Sequence, residues 1–413
     1  MNSFQTPRAG GMLPVEEAQQ RVLALAPRMA TEIVSLEEAH GRVLREDVAA
    51  PFDLPPADNS AMDGYAVRAE DVANAPVSLG VIGDVPAGSV PRERVERGTA
   101  MRIMTGAFVP DGADAVVQVE LTDAGAEIVE VREAVTRGAN IRRRGEDLRA
   151  QTIVLREGAV IRAAEVGVLA SMQHVRVVVS RWPEVAVLST GDELAEPHET
   201  LAPGRIVNSN GYSLAALVRE AGAIARPLGI VRDDRDATIA ALEQALASDF
   251  VLTSGGVSVG AFDFVKDALD ALGAKTDFWR VAMRPGKPLV VSTLRDRLCF
   301  GLPGNPVSCM VAFHLFVAPA LRQAMGMTKN VFAPEANVRI TAPLKSAPDR
   351  RVYYRARVIA EDGQLVAHPM PSQGSGVSTS MLEANALVVV DPDSKAQSGA
   401  TVRALLIGQV QTA

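Results

Sequence analysis

The sequence has few residues that could form disulfides or bind soft metals. Cys299 and Cys309 are its only cysteines, and no grouping of Cys and His has the spacing of zinc ligands. This scarcity excludes a disulfide framework and a thiolate metal site. We expect both cysteines to be small buried residues.

Excess positive charge and long apolar runs are also absent. The net charge of −7 and the pI near 5.5 disfavour a protein that coats nucleic acid or anionic membrane. Residues 1–12 lack the apolar run of a signal peptide. The longest apolar stretch, 307–321, is shorter than the ~20 residues that span a bilayer and contains Pro319. We predict a cytoplasmic protein without a membrane or nucleic-acid polymer partner, in which 307–321 forms a buried helix.

The length and composition instead predict a multidomain globular protein. The chain has 413 residues, of which 47% are hydrophobic, and single cores usually stop growing at ~250 to 300 residues. Local patterns suggest five segments. These are a flexible tail at 1–12, an N-terminal linker and helical domain at 13–50 with 148–180, a β-rich insertion domain at 51–147, an α/β domain at 181–328 and a C-terminal β domain at 329–413.

The α/β domain is predicted from alternating strand, loop and helix patterns. Short apolar runs suited to buried strands occur at 184–188, 225–231, 249–252, 289–292 and 298–300. Apolar stripes between them predict helices, one of them capped by Asp236 and one beginning near Asp263. The alternation favours a doubly wound parallel sheet that binds ligands beyond the carboxyl ends of its strands. Strand patterns at 338–341, 352–359, 386–390 and 401–406 predict a C-terminal barrel or sandwich.

The loop 253–260 (TSGGVSVG) is the sharpest chemical motif. It follows an apolar strand and precedes a helix, so its free backbone N–H groups and the helix dipole favour phosphate. Its pattern is neither a P-loop nor a Rossmann fingerprint. The plainer alternative is a tight strand-to-helix turn. The candidate substrate-binding residues here are Ser254, Gly255, Gly256, Ser258 and Gly260.

Two further loops are expected at the same sheet edge. The loop 301–306 (GLPGNP) offers a rigid rim at Pro303, Gly304, Asn305 and Pro306. The loop 189–193 (STGDE) supplies carboxylates, and other carboxylates also follow predicted strand ends. Singly each carboxylate is more often a helix cap, but together they favour a magnesium site facing phosphate. The carboxylates are Asp192, Glu193, Asp233, Asp234 and Asp263.

Local cations must offset the negative charge of any anionic substrate. Arg280, Arg284 and Lys287 surround a Pro-Gly turn that aims them at this edge. The triplet 142–144 (RRR) is a second cluster, for which a solvated charged face is an equal alternative. Propensity assigns residues 58–66 (DNSAMDGYA) only to a structured loop.

Taken together, these motifs resemble those of the molybdopterin molybdenumtransferase family, the bacterial counterpart of the gephyrin E domain. The resemblance runs from about Val15 to the C-terminus, with the motifs in family order. The motifs lie at 58–66, 102–106, 141–147, 189–193, 254–260, 285–288 and 301–306. Lysines are frequent in the family where this chain has Arg280 and Arg284, so the positive charge is kept.

The resemblance implies an activity, a cofactor and a site. Molybdate would be inserted into adenylylated molybdopterin, and the adenylyl bond hydrolysed with Mg²⁺, which releases AMP and molybdenum cofactor. It implies a homodimer with a site shared between subunits, and possible transient contact with the molybdopterin adenylyltransferase. Glu193, Asp233 and Asp263 would also bind the metal. The implied catalytic residues are Asp63, Thr105, Asp147, Glu193, Asp233 and Asp263, and the implied substrate-binding residues include Arg280, Arg284, Lys287, Pro303 and Pro306.

Three alternatives compete with this interpretation. A molybdopterin adenylyltransferase or a nucleotide pyrophosphatase uses the same kind of α/β domain, but the first is usually a stand-alone domain and the second places the α/β domain first. A scaffold without catalysis is the third alternative, although it has no need for carboxylates around an anion-binding loop.

Overall fold

A computed structural model describes residues 11–256 and 264–412. Seven α-helices are assigned within these described ranges. They are α1 (Val15–Leu25), α2 (Ala163–Ser171), α3 (Ser209–Glu220), α4 (Arg235–Ala245), α5 (Phe264–Ala271), α6 (Pro306–Ala312) and α7 (Ala318–Ala324).

The described strands form four two-stranded sheets, two larger sheets and a barrel. Those before α2 are β1 (Thr31–Ser35), β2 (Val48–Ala49), β3 (Asn59–Ser60), β4 (Gly64–Val67), β5 (Val77–Val85), β6 (Thr99–Ile103), β7 (Ala115–Gln118), β8 (Ile128–Val131), β9 (Ile141–Arg142) and β10 (Ile153–Leu155). Those of the α/β region are β11 (Arg176–Ser180), β12 (Glu184–Thr190), β13 (Leu194–Ala195), β14 (Ile206–Val207), β15 (Ile224–Val231), β16 (Phe250–Ser254), β17 (Lys275–Arg280), β18 (Met283–Arg284), β19 (Pro288–Leu294) and β20 (Arg297–Leu302). The remaining strands are β21 (Glu335–Ile340), β22 (Arg351–Glu361), β23 (Gln364–Pro369), β24 (Ala386–Val390), β25 (Thr401–Leu406) and β26 (Gln411–Thr412).

The chain divides into two compact units. One contains Asp47–Arg156 and Gly167–His174, and the other contains the remaining described residues. The Asp47–Arg156 unit is built on a five-stranded sheet of order β7-β4-β6-β5-β8. Tyr65 on β4 is fully buried in its core and donates a hydrogen bond to the carbonyl of Gly125 at 2.9 Å. The predicted β-rich insertion is confirmed, whereas the exact domain boundaries stay predictions.

The larger unit contains the α/β sheet, of order β15-β12-β16-β20-β19-β17. The predicted parallel arrangement is confirmed for β15, β12, β16 and β20, which pair in parallel. It is wrong for β19, which runs antiparallel to β20, and β17, which pairs antiparallel with β19, was not expected from the sequence. The link between β19 and β20 explains this, because Arg295 and Asp296 with positive φ form a two-residue hairpin, too short for a crossover helix.

A closed five-stranded barrel forms the C-terminal part of the same unit. The strands pair in the cycle β22-β23-β21-β25-β24, and β24 pairs with β22 to close it. The predicted bounds of β24 and β25 match the structure, and the barrel is one of the two predicted architectures. Strand β23, which is short and follows the turn at Asp362 and Gly363, was not expected from the sequence.

The long apolar stretch forms a core helix. α6 continues through a π-helical turn, Phe313–Val317, into α7. By length and composition alone, the combined helix Pro306–Ala324 could cross a membrane. However, 78% of its most apolar 18-residue stretch is buried inside the protein. Its hydrophobicity is therefore accounted for by the core of strands and helices around it.

One local prediction was wrong in detail. The N-cap of α4 is Asp234 rather than Asp236, since the Asp234 side chain accepts from the N–H of Ala237 at 2.8 Å. Nearer the N-terminus, Ser35 precedes a single 3₁₀ turn, Leu36–Glu38, and its side chain makes no cap hydrogen bond.

Candidate functional site in the α/β unit

The carboxyl ends of the parallel strands meet at one edge of the α/β sheet and surround a cavity of about 300 Å³. We call it the glycine-loop cavity. It is lined by Thr190, Gly191, Glu193, Asp233, Gly255, Gly256, Pro288, Pro303, Gly304 and Asn305. The strand ends thus bring together loops that are far apart in the sequence, as expected for a doubly wound sheet.

Gly255 and Gly256 bring the backbone against the floor of this cavity. Their φ angles are +93° and +64°, in the left-handed region. A Cβ atom on Gly255 would lie 2.7 Å from the carbonyl oxygen of Thr190, and one on Gly256 would lie 2.9 Å from the Thr190 hydroxyl. Only glycine fits at both positions. The Thr190 hydroxyl is itself buried and has no hydrogen-bond partner in the described chain.

Two of the predicted metal carboxylates, Glu193 and Asp233, line the glycine-loop cavity. The loops that carry them are tied together, because the N–H of Asp192 donates to Asp233 Oδ2 at 3.2 Å and the N–H of Asp233 donates to Asp192 Oδ1 at 3.4 Å. Within residues 11–256 and 264–412, no group of three His, Cys, Asp or Glu side chains could hold a metal ion. The third predicted ligand, Asp263, lies outside the described residues, as do Ser258 and Gly260.

A second cavity of about 690 Å³ shares Pro288 and Asn305 with the first. We call it the cation-lined cavity. Its walls come from residues 283–288, 305 and 308 of the α/β region and from 345–346, 350, 352–355 and 373–375 of the barrel region. Five of these residues are cationic, and the described lining contains no Asp or Glu. The cations are Arg284, Lys287, Lys345, Arg350 and Arg355.

The cations differ in how they are held. Arg350 donates from Nε to Asp349 Oδ1 at 2.8 Å, and this contact holds the pKa of the Asp349 carboxyl below its usual value. Arg355 is 1% exposed, and burial lowers the pKa of its guanidinium. It donates to the carbonyls of Ser372 and Gly374 at 3.0 and 3.2 Å. The cavity therefore combines one fixed, buried cation with more exposed ones.

Some predicted substrate-binding residues do not reach either cavity. Arg280 lies over the ring of Trp279, with its guanidinium carbon 4.9 Å from the ring centroid. Pro306 is the first residue of α6. Ser254 is 3% exposed and lies behind the glycine loop rather than on its surface.

Asp63, Thr105 and Asp147 belong to the Asp47–Arg156 unit. Thr105 donates to Asp63 Oδ1 from both its hydroxyl and its N–H, each at 2.6 Å. These two bonds lower the pKa of the Asp63 carboxyl, the hydroxyl having the larger effect. The structure thus pairs two predicted catalytic residues that are far apart in the sequence. Asp147 is exposed, and its N–H donates to the carbonyl of Leu54 at 3.0 Å.

The arginine triplet of this unit is partly engaged by neighbouring carboxylates. Arg143 donates to Asp58 Oδ2, and Arg144 donates from Nε to Asp53 Oδ2, both at 2.6 Å. These ion pairs organise the loops around residues 53–58 and 142–150. They favour a structural role over a free basic cluster.

Several residues around the cavities were not expected from the sequence. Lys345, Arg350 and Arg355 come from the barrel region, and no motif links them to the Pro-Gly turn at 285–286. Asn210, at the start of α3, donates hydrogen bonds to Ser254 and to the carbonyl of Gly304. These acceptors belong to two different loops, 254–256 and 301–306, which we call the glycine loops.

The fold defines a multidomain protein with an α/β core and two cavities whose linings suit anions, and comparisons with known proteins identify its family. Three family profiles match in order. "MoeA N-terminal region (domain I and II)" matches residues 13–172, "Probable molybdopterin binding domain" matches 186–323, and "MoeA C-terminal region (domain IV)" matches 337–407.

Curated relatives and solved structures agree with the profiles. Molybdopterin molybdenumtransferase 2 of Mycobacterium tuberculosis is 42% identical over 87% of this chain and 91% of its own length. Molybdopterin molybdenumtransferase of Bacillus subtilis is 39% identical over 96% and 94%. A crystal structure of the molybdopterin biosynthesis moeA protein from Pyrococcus horikoshii OT3 is 32% identical with a TM-score of 0.83, covering 96% of this chain and all of that one. The chain belongs to the molybdopterin molybdenumtransferase (MoeA) family.

Proposed function

We propose that this chain is an enzyme that inserts molybdenum into adenylylated molybdopterin, hydrolysing the adenylyl bond and releasing AMP and molybdenum cofactor. The observation that carries this proposal is the adjacency of the two cavities, which share Pro288 and Asn305. One cavity suits phosphate groups and the other suits an oxyanion. A substrate that brings a phosphoanhydride close to molybdate needs both.

In this proposal the glycine-loop cavity binds the phosphate end of the substrate. Gly255, Gly256 and Gly304 let phosphate approach the backbone closely, where N–H groups can donate to it. Arg284 and Lys287, together with the barrel cations, offset the charge of molybdate in the cation-lined cavity. Without them, like charges would meet in a partly enclosed space.

We propose Mg²⁺ as the cofactor, held by Glu193, Asp233 and Asp263. Mg²⁺ in phosphate sites is usually bound through one or two carboxylates together with substrate oxygens and water, so Glu193 and Asp233 at the cavity wall fit this ion. When bound, the ion would neutralise charge on the phosphate oxygens. The protein's own contribution is to fix the two carboxylates on loops joined through Asp192.

The direct test combines purified protein with adenylylated molybdopterin, molybdate and Mg²⁺, and follows AMP. We expect AMP release that requires both molybdate and Mg²⁺. Release that continues at full rate with a strong chelator would contradict the magnesium proposal. No release under any condition would contradict the enzymatic proposal and reopen the scaffold alternative.

We propose that the working protein is a homodimer in which Asp63 and Thr105 act across the subunit interface, as the family resemblance implies. Light scattering should report a dimer at micromolar concentration. Mixing inactive Asp63→Asn protein with inactive Asp263→Ala protein should restore some activity, since hybrid dimers would contain one site free of both changes. No recovery despite subunit exchange would assign both residues to one subunit's site.

The cytoplasm as the place of reaction and a transient contact with the adenylyltransferase remain parts of this proposal. Cell fractionation tests the first, and cross-linking of the two purified proteins in the presence of substrate tests the second. The adenylyltransferase and pyrophosphatase alternatives are disfavoured, because the three matched family regions occur together and in order along the chain.

A further inference from the structure

A buried side chain that lines neither cavity connects the two glycine loops. Asn210 lies in the first turn of α3 and is 8% exposed. Its carboxamide nitrogen donates to the Ser254 hydroxyl at 2.8 Å and to the carbonyl oxygen of Gly304 at 2.7 Å. Ser254 ends β16, just before Gly255, and Gly304 belongs to the loop after β20. One amide group therefore holds both loops of the glycine-loop cavity.

We propose that Asn210 is a positioning residue that sets the spacing of the two glycine loops and thereby the affinity of the glycine-loop cavity for the phosphate end of the substrate. The inference rests on the proposed function of that cavity. Asn210 lines neither cavity, so it acts through Ser254 and Gly304 rather than by touching the ligand.

The chemistry of the side chain explains why asparagine suits this position. A carboxamide nitrogen carries two hydrogens and can serve two acceptors at once, whereas a serine hydroxyl serves one and an aspartate carboxylate serves none. The carbonyl oxygen of Gly304 can only accept, which fixes the nitrogen of Asn210 on that side. Loss of the amide would leave the partly buried carbonyl of Gly304 without this donor, and the buried Ser254 hydroxyl with only the long contact, 4.0 Å, from the Cys309 thiol.

The two loops lie side by side. The N–H of Gly255 donates to the carbonyl of Leu302 at 3.1 Å, and a Cβ atom added to Gly304 would make an ordinary contact, at 3.7 Å, with the Cα of Gly255. Gly255, Gly256 and Gly304 all line the cavity. A displacement of about 1 Å in such a site is enough to weaken ligand contacts strongly.

The matched control lies two residues away on the same helix. Asn208 is 3% exposed, and its side chain caps α3 by accepting from the N–H of Gly211 at 3.1 Å. It makes no hydrogen bond to either glycine loop in the described chain. Asn208→Ala should therefore lower the melting temperature through the lost cap without changing the cavity.

The test measures AMP binding by calorimetry and turnover with adenylylated molybdopterin. We expect Asn210→Ala to raise the Kd of AMP and the KM of the adenylylated substrate about tenfold, while the molybdate concentration for half-maximal rate changes less than about twofold. Asn210→Asp should be worse than Asn210→Ala, because it adds negative charge behind the phosphate site. Asn208→Ala should keep the wild-type Kd.

Two results would overturn the inference. One is an AMP Kd for Asn210→Ala within twofold of wild type. The other is an equal rise in Asn208→Ala at the same loss of melting temperature, which would make the effect one of general stability. If Asn210→Ala does not fold, Ser254→Ala carries the test, since it removes one of the two acceptors and should raise the Kd about threefold. An unchanged Kd in Ser254→Ala would then reject the role.

The proposed function and the positioning role can fail separately. If wild-type protein binds AMP but releases none from adenylylated molybdopterin, the proposed activity is rejected. The ratio of AMP Kd values between Asn210→Ala and wild type would still decide whether Asn210 positions the loops.

Discussion

The glycine-loop cavity and the cation-lined cavity share Pro288 and Asn305, yet they are built from different material. The first is shaped mainly by backbone, with glycines held against Thr190 and two carboxylates at its wall. The second is shaped by side chains, five of them cationic, that come from two distant parts of the sequence.

Under the proposed function, the chain would recognise two anions in two ways. A backbone cavity is selective by shape and tolerates almost no added atoms, because neighbouring main-chain groups cannot move aside. A side-chain cavity is selective by charge, and the loss of one cation weakens binding without closing the space. The two cavities should therefore respond differently to single substitutions.

The largest effect is expected for Gly255→Ala. The new Cβ would meet the Thr190 carbonyl at 2.7 Å while the backbone holds a φ of +93°, so the loop must move. We expect AMP binding and turnover to fall about 100-fold, the scale of a ~1 Å misplacement in an active site. Calorimetry and the AMP-release assay measure both.

Gly273→Ala is the control for backbone strain alone. Gly273 has a similar φ of +80°, but nothing lies within 4 Å of its added Cβ. It should cost about 1 kcal/mol of stability and leave AMP binding intact. Wild-type AMP affinity in Gly255→Ala would refute the idea that shape governs this cavity.

A smaller effect is expected for Arg284→Ala. The substitution removes one cation from the cation-lined cavity but leaves four others. We expect the molybdate concentration for half-maximal turnover to rise about tenfold with little change in AMP affinity, and Arg284→Lys to be milder because charge is kept. Arg357→Ala makes the same charge change at an exposed barrel position outside both cavities, and it should have no effect. If the Arg284 and Arg357 variants need the same molybdate concentration for half-maximal turnover, molybdate must bind elsewhere.

The smallest effect is expected for Asn305→Asp, at the boundary of the two cavities. Asn305 occupies the N-cap of α6 but makes no side-chain cap bond, and the N–H of Val307 instead donates to the carbonyl of Ser375 at 3.1 Å. A carboxylate here should weaken both AMP and molybdate binding about threefold by repulsion. The melting temperature should not fall, since aspartate is a good N-cap residue.

Asn305→Ala provides the uncharged comparison for this variant. It should leave stability nearly unchanged, because no cap bond is lost. If Asn305→Asp weakens binding of one anion and not the other, the two cavities work independently, despite their shared wall.

The sequence predicted the parts of the molecule that follow local rules. The four parallel strands, the core helix and the bounds of β24 and β25 all rest on apolar periodicity and turn residues. Glu193, Asp233, Gly255 and Gly256 were expected together because the ends of parallel strands meet. The turn of β19 back into β20 was missed, since apolar runs of this kind do not reveal strand direction.

The residues that could not be predicted are brought in by the tertiary fold. Lys345 and Arg350 join Arg284 and Lys287 only because β18 pairs with β22, a contact between the α/β region and the barrel. Asn210 looks like an ordinary residue of a helix start until the loops after β16 and β20 are in place. Arg280 is the opposite case. The sequence motif placed it at the site, but its guanidinium lies over the ring of its neighbour Trp279 and lines neither cavity.

Closure of the C-terminal barrel affects how this family can diverge. Because β22 pairs with both β23 and β24, none of the five barrel strands within 335–406 is left as a free edge that could recruit another chain. Outward-facing positions can then change with little risk of aggregation. The segment at 345–350 that carries Lys345 and Arg350 connects two strands of this barrel. A change in that connection could therefore alter the cation-lined cavity, while the sheet that carries the glycine loops stays untouched.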